Sequence, residues 1–283
     1  MAVQCTGPMP PSEFIGHFLV EPDTHRPPSA KLKIAKPSEG GQTFSFDCSP
    51  LCPSIAFSSS PPSNVTSDTS EESLPKSHLY GRMNLQGSAS PSPFTIAPQI
   101  VELLIDYVQV DPFRDPGPEV QDRQDVNFQR TSPKARYFYS RHFSAIEDVF
   151  TAHPRVFLFS VLITDQGARL LRWDRAGVVV TERFDHNSSD SPLSEFLWRF
   201  NSMTPEQHGH DLTFSQPTPQ DISIARDAFS RSTHDIPSEA PLYKVSVTDD
   251  VSEEEFFFVV STPQACNDRV YGTASRGYIA VDL

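Results

Sequence analysis

The nine residues from Arg155 to Ile163 read R-V-F-L-F-S-V-L-I and place an apolar side chain at nearly every position. A strand with one wet face alternates apolar and polar residues, so this run predicts a strand covered on both sides by packed helices. Two more runs follow at once, Ala168 to Trp173 and Val178 to Phe184, rich in Val, Leu and Phe and set apart by the turns T-D-Q-G and D-R-A-G. Connections this short predict an antiparallel meander. Helices able to cover it are legible on either side in sequence. Between Ala135 and Phe150, Tyr139, Phe143, Ile146 and Phe150 recur on one helical face, with Arg136, Arg141, Glu147 and Asp148 on the other.

Downstream, Ser191-Pro192, Thr204-Pro205 and Thr218-Pro219 each put a hydroxyl at the N-cap and a proline at the first helical position, predicting three short helices. Gln207 and Asp221 stand three residues past the second and third caps, as a capping box requires. One more helix is expected over Ile100 to Val108, where Ile100, Leu103, Leu104, Tyr107 and Val108 share a face and Asp111-Pro112 ends the pattern. Strands return at Leu242 to Val247 and Glu255 to Val260, joined by a turn carrying Asp249, Asp250, Glu253 and Glu254. Loops that bind hard cations turn about a glycine with ligands at alternating positions. This turn has no glycine, and it reads as a solubilising hairpin.

The N-terminal third has a different composition. Residues 1–98 hold 15 of the 27 prolines and 17 serines, two residue types that resist regular structure, and they read as a disordered Pro/Ser-rich tail. The domain proper is then expected at 99–283, an α+β fold in which an antiparallel meander packs with amphipathic helices. Its charge limits its partners. Of a formal net charge of −13, the tail carries six Lys and Arg against eight Asp and Glu, and the remainder 17 against 28. So acidic a surface repels phosphate backbones and anionic lipid, and neither nucleic acid nor a membrane surface is expected as a partner. A protein partner stays open, and so does the oligomeric state. No secretory signal opens the chain, and its longest nearly apolar run, Val156 to Ile163, is too short to span a bilayer, so an intracellular protein is expected. Cys5, Cys48, Cys52 and Cys266 show no disulfide framework, and the C-x3-C pair at Cys48 and Cys52 has no second pair to complete a zinc site.

Candidate chemistry is sparse. His208-Gly209-His210-Asp211 brings two imidazoles close together, but no third ligand pattern accompanies them, and the segment reads as the end of a capped helix. Asp174 and Arg175 read as an Asp-capped turn. The last segment, Arg269 to Leu283, reads as strand, glycine turn, strand. Gly272 and Gly277 have the spacing of a phosphate-binding P-loop, yet Tyr278 stands where that motif needs lysine, which excludes it. A glycine-rich hairpin of another type, whose backbone N–H groups approach phosphates, and a plain hairpin turn both remain open.

These residues carry a resemblance. The order of helix, R-V-F-L-F-S-V-L-I, R-L-L-R-W-D-R-A-G-V-V-V-T-E-R-F-D, the capped helix P-L-S-E-F-L-W-R-F, H-G-H-D-L-T-F and Y-G-T-A-S-R-G-Y-I-A-V-D resembles the fungal-type protein kinase domain family over roughly residues 99–283. The R-W-D-R-A-G turn is its most specific piece. The resemblance implies the first strands of a kinase-like N-lobe after the meander, and it implies Gly272, Arg276 and Gly277 as the remnant of a loop for Mg-ATP. Phosphoryl transfer also needs a phosphate-holding lysine, a catalytic-loop aspartate and a metal-binding aspartate, and no H-R-D or D-F-G occurs in these 283 residues. The expectation is therefore a truncated kinase domain without catalytic residues, inactive alone. The alternative is a non-catalytic protein-binding module with a regulated serine-rich tail.

Overall fold

The computed structural model describes residues 4–23, 32–35, 45–47, 51, 55–58, 78–83, 101–117, 128–188, 190–232, 236–266 and 276–283. The chain forms two compact units, one with its described residues in 4–83 and 101–210, the other in 211–266 and 276–283. In chain order the first contains β1 (Cys5–Met9), α1 (Pro11–Phe18), β2 (Lys33–Ala35), β3 (Ser45–Asp47), β4 (Ile55–Ser58), β5 (His78–Met83), β6 (Val101–Tyr107), α2 (Pro133–Ala152), β7 (Phe157–Thr164), β8 (Gly167–Asp174), β9 (Val178–Thr181) and α3 (Pro192–Asn201). The second contains β10 (Phe214–Ser215), α4 (Pro219–Arg231), β11 (Tyr243–Thr248), β12 (Glu255–Val260), β13 (Ala265–Cys266), β14 (Arg276–Gly277) and β15 (Ala280–Asp282). The class is α+β, as the pattern predicts.

A mixed sheet in the order β1-β9-β8-β7-β6-β5-β4 organises the first unit. β7, β8 and β9 form the expected antiparallel meander, with Ser160 opposite Leu171 and Leu171 opposite Val180. β7 is covered on both faces, which explains its unbroken apolar run. Phe159, Val161 and Ile163 join a cluster with Phe14 and Ile15 of α1 and with Leu193, Phe196, Leu197 and Phe200 of α3. Leu158 and Leu162 face the other way, into a cluster with Ile146, Val149 and Phe150 of α2 and Trp173 of β8. The caps behave as the sequence indicates. Ser191 Oγ accepts the Ser194 N–H at 3.2 Å, and Thr218 and Asp221 form a complete capping box.

Three expectations are corrected. Ile100 to Val108 was expected to be helical, but Val101–Tyr107 is β6, lying between β5 and parallel β7 with Leu103 opposite Phe159. A strand buried on both faces is apolar almost throughout, so the helical spacing of its leucines is incidental. Thr204-Pro205 starts only a turn: Thr204 and Gln207 make the reciprocal capping bonds, at 2.8 and 3.3 Å, but no helix follows. Gly209, at φ +90°, ends it there, and a β-carbon at that position would lie 2.2 Å from the Phe157 carbonyl oxygen.

The third correction concerns the tail. Order does not begin at residue 98, because β1 pairs in parallel with β9 and α1 buries Phe14 and Ile15 completely. Pro11 at the start of α1 is compatible with a helix, since the N–H it lacks has no helical partner at that position. Residues 24–31 and 59–77, which carry much of the Pro/Ser bias, lie outside the described residues.

In the second unit, β10-β11-β12-β15 form a sheet, with β11 and β12 the expected hairpin. Ala225 and Phe229 of α4 pack on Val259, with Ile279 and Val281 beside them. The acidic turn is closed by Asp249, whose Oδ1 accepts the N–H groups of Val251 and Ser252 at 2.9 and 2.7 Å.

Phe14 meets Phe159 edge-on, with ring centroids 6.2 Å apart. Phe14→Ala is expected to cost about 3–5 kcal/mol in urea unfolding, as for a fully buried core phenylalanine. A loss below 1 kcal/mol, the level of an exposed surface position, would contradict the placement of α1 in the core.

Candidate functional site

Of the three residues the sequence nominates, Gly272 lies outside the described residues. Arg276 and Gly277 form β14, paired antiparallel with β13, and the Gln264 N–H donates to the Gly277 carbonyl at 2.8 Å. Beyond them, Tyr278 sits 6.0 Å from the Phe214 ring. Nearby, burial first and Tyr278 second push the Tyr243 phenol up to about 12, with Arg276 opposing. The R-W-D-R-A-G turn is structural, as expected: Asp174 Oδ1 accepts from the N–H groups of Ala176 and Gly177 at 2.9 and 3.2 Å. Arg172 pairs with Asp174 at 2.5 Å, and Arg175 lies over the Phe150 ring.

Among the described residues, a buried polar cluster joins His208 and His210 to Glu102 and Arg155, which sequence reasoning missed. Glu102 projects from β6, Arg155 stands two residues before β7, and His208 and His210 come from the turn begun at Thr204. Arg155 and His210 form an antiparallel bridge, and the Val156 N–H donates to the Gly209 carbonyl at 2.9 Å, which fixes the histidine turn against the start of β7. Glu102 Oε2 lies 2.8 Å from Arg155 Nη2, 2.8 Å from His210 Nε2 and 3.2 Å from His208 Nδ1. Arg155 also donates to the carbonyls of His208, at 2.7 Å, and Val101. His208 stacks on Phe200, centroids 4.3 Å apart, and its Nε2 meets the Phe200 carbonyl at 2.8 Å.

This environment decides the charge on Glu102. Burial alone would raise its carboxyl, but the imidazoles of His208 and His210 beside it and the Arg155 charge together hold it far below the ordinary carboxylate range. Burial pulls the Arg155 guanidinium down while Glu102 opposes. Glu102, His208 and His210 each direct a ligand atom to a common region, all within 4.8 Å of one another, so these three could hold a metal ion. The H-x-H spacing was visible in the sequence. The third member was not, because Glu102 lies far upstream in a run whose spacing imitates a helix.

A second buried cluster has the order of a hydrolase triad. Asp106 Oδ2 lies 3.4 Å from His142 Nδ1, and His142 Nε2 lies 2.9 Å from Ser160 Oγ. All three residues are at most 1 % exposed, and the Trp173 indole N–H donates to Ser160 Oγ at 2.7 Å. A nucleophile needs a substrate within reach as well as a base. Sealed in this way, the triad ties β6, α2, β7 and β8 together, with Arg141 closing the outer side of Asp106 at 3.1 Å. Arg169 is buried in the same manner, holding Asp111 at 2.9 Å and Asp115 at 2.7 Å.

A carboxyl held below its ordinary value of 4.5 adds stability at every pH above 4.5 and loses it as pH falls below, toward its folded-state value. Urea midpoints should therefore drop steeply on acidification below 4.5. Glu102→Gln should flatten that acid limb and should cost about 3–5 kcal/mol at pH 7 by stranding Arg155. An acid limb unchanged in the variant would show that Glu102 does not titrate as its surroundings require.

Residues 137–244 match the family model described as fungal protein kinase. No curated protein and no solved structure matches the chain. The matched residues run from within α2 through the β7–β9 meander, α3, the histidine turn and α4 into β11. This stretch, with R-W-D-R-A-G inside it, is similar to the fungal protein kinase family.

Proposed function

We propose that residues 99–283 supply the α+β scaffold of a fungal-type protein kinase and do not transfer phosphate by themselves. The observation that carries this reading is the engagement of Lys244. It is the sole lysine beyond residue 134. A protein kinase uses a strand lysine, paired with a helix carboxylate, to hold the nucleotide phosphates. Lys244 does lie on a strand, β11, and does meet a helix carboxylate, Asp221 of α4, at 3.3 Å. Asp221 is the capping-box residue of α4, however, and its Oδ2 also accepts the Thr218 N–H at 3.0 Å. The ammonium lies over the Phe257 ring, 4.9 Å from its centroid. Lys244 is thus committed to a helix cap and an aromatic face. The buried acids Glu102, Asp106 and Asp111 are committed to arginines. Gly272, Arg276 and Gly277 are proposed as a nucleotide-loop remnant without these partners.

A second reading, a protein-binding module, is favoured by the β11–β12 hairpin. Val247, Val251, Phe256 and Phe257 are exposed there beside the acidic turn, and exposed apolar groups of this kind suit a protein partner.

The purified chain, incubated with Mg-ATP labelled at the γ-phosphate and a generic protein acceptor, is expected to leave the acceptor unlabelled, and calorimetric titration with Mg-ATP is expected to be flat. Label transfer that persists through successive purification steps would overturn the proposal.

A further inference from the structure

We propose that Glu102, His208 and His210 form a zinc site that fastens the histidine turn to β6, independently of any phosphoryl transfer. The argument begins with the Phe200 carbonyl. A carbonyl oxygen only accepts, so His208 Nε2, 2.8 Å away, carries the proton. In the neutral ring Nδ1 is then a lone pair. This nitrogen is completely buried, has no hydrogen-bond partner and points at Glu102 Oε2 from 3.2 Å. Facing a carboxylate oxygen in a dry interior, that nitrogen needs either a second ring proton, giving an imidazolium paired with Glu102, or a metal ion between the two.

His210 brings a second ring nitrogen to the same place, its Nε2 lying 3.2 Å from Arg155 Nη2. The same nitrogen faces both Glu102 oxygens, at 2.8 and 3.0 Å. Two imidazole nitrogens and one carboxylate converge on one region.

Two imidazoles and one carboxylate are the borderline donors that suit zinc, and they make the three-ligand set that leaves a fourth position for water. The His210 side chain is 17 % exposed and gives that position a route to solvent. The surroundings have the form of an outer shell. The Phe200 carbonyl accepts a hydrogen bond from His208 Nε2, and Arg155 holds Glu102 Oε2, which also faces both imidazoles, while Oε1 lies 3.0 Å from His210 Nε2. Gly209 between the histidines follows from the close approach of the Phe157 carbonyl, which admits no side chain.

The test is metal stoichiometry on the full chain. Elemental analysis after dialysis against zinc and then metal-free buffer should find one zinc per chain, and a chelator should lower the melting temperature, with zinc restoring it. Cobalt substitution should give visible bands of a four-coordinate nitrogen–oxygen site, without the near-ultraviolet charge transfer of thiolates, which separates this site from the four cysteines. His210→Ala, at the accessible edge, should weaken zinc binding about tenfold or more. The cobalt spectrum of the unmodified chain decides the matter even if that variant fails to fold. Absence of bound zinc, thiolate bands, or a melting temperature indifferent to metal would each overturn the site and leave Arg155 as its cation.

Discussion

Everything in the first unit depends on β7 being apolar on both faces. A central strand of that kind can be satisfied only between two layers, so it recruits α1 and α3 to one side and α2 to the other. The same requirement dictates where polar groups go. Ser160 is the one hydroxyl in the middle of β7, and it is matched by the Trp173 indole and the His142 imidazole. Burying it without them would cost about 1–3 kcal/mol. The triad-like arrangement is thus a result of packing a hydroxyl into a dry sheet.

The buried acid–arginine pairs serve the same core in another way. Their net contribution to stability is small, because desolvation consumes most of the attraction. Their value lies in register. Glu102 sits on β6 and Arg155 at the entrance to β7, while Asp106 meets Arg141 from α2. A shift of β6 by one residue would move both acids to the opposite face, where phenylalanines and leucines wait. Alternation cannot set the register in a strand that is apolar almost throughout, and the two carboxylates do so instead.

The meander, α2, α3, α4 and the β11–β12 hairpin were legible in the sequence, because each is marked by a short turn or by a hydroxyl-proline cap. β6 was not. V-E-L-L-I-D-Y satisfies the helical period and the doubly buried strand equally well, and only the neighbours β5 and β7 decide between them. Misreading it also concealed the site, since Glu102 as a helical residue had no reason to meet His208. The β11–β12 hairpin was read correctly, and Asp249 closes its turn with its own side chain. The N-terminal helix was lost to averaging. Phe14 and Ile15 stand in a stretch whose prolines and serines dominate the composition, and two buried residues do not shift that balance.

The pairing of β1 with β9 sets Cys5 opposite Val178, and Gly177 lies so close to Gln4 that a β-carbon there would come within 2.1 Å of the Gln4 carbonyl oxygen. β1 therefore has no partner until β9, far downstream, has been made. Contacts so distant in sequence form late, after their loop-closure entropy has been met by nearer ones. Until then Phe14 and Ile15 of α1 stay uncovered as well, since their partners on β7 and α3 also lie far downstream, and such a segment offers a handle to a chaperone and an opening to a protease.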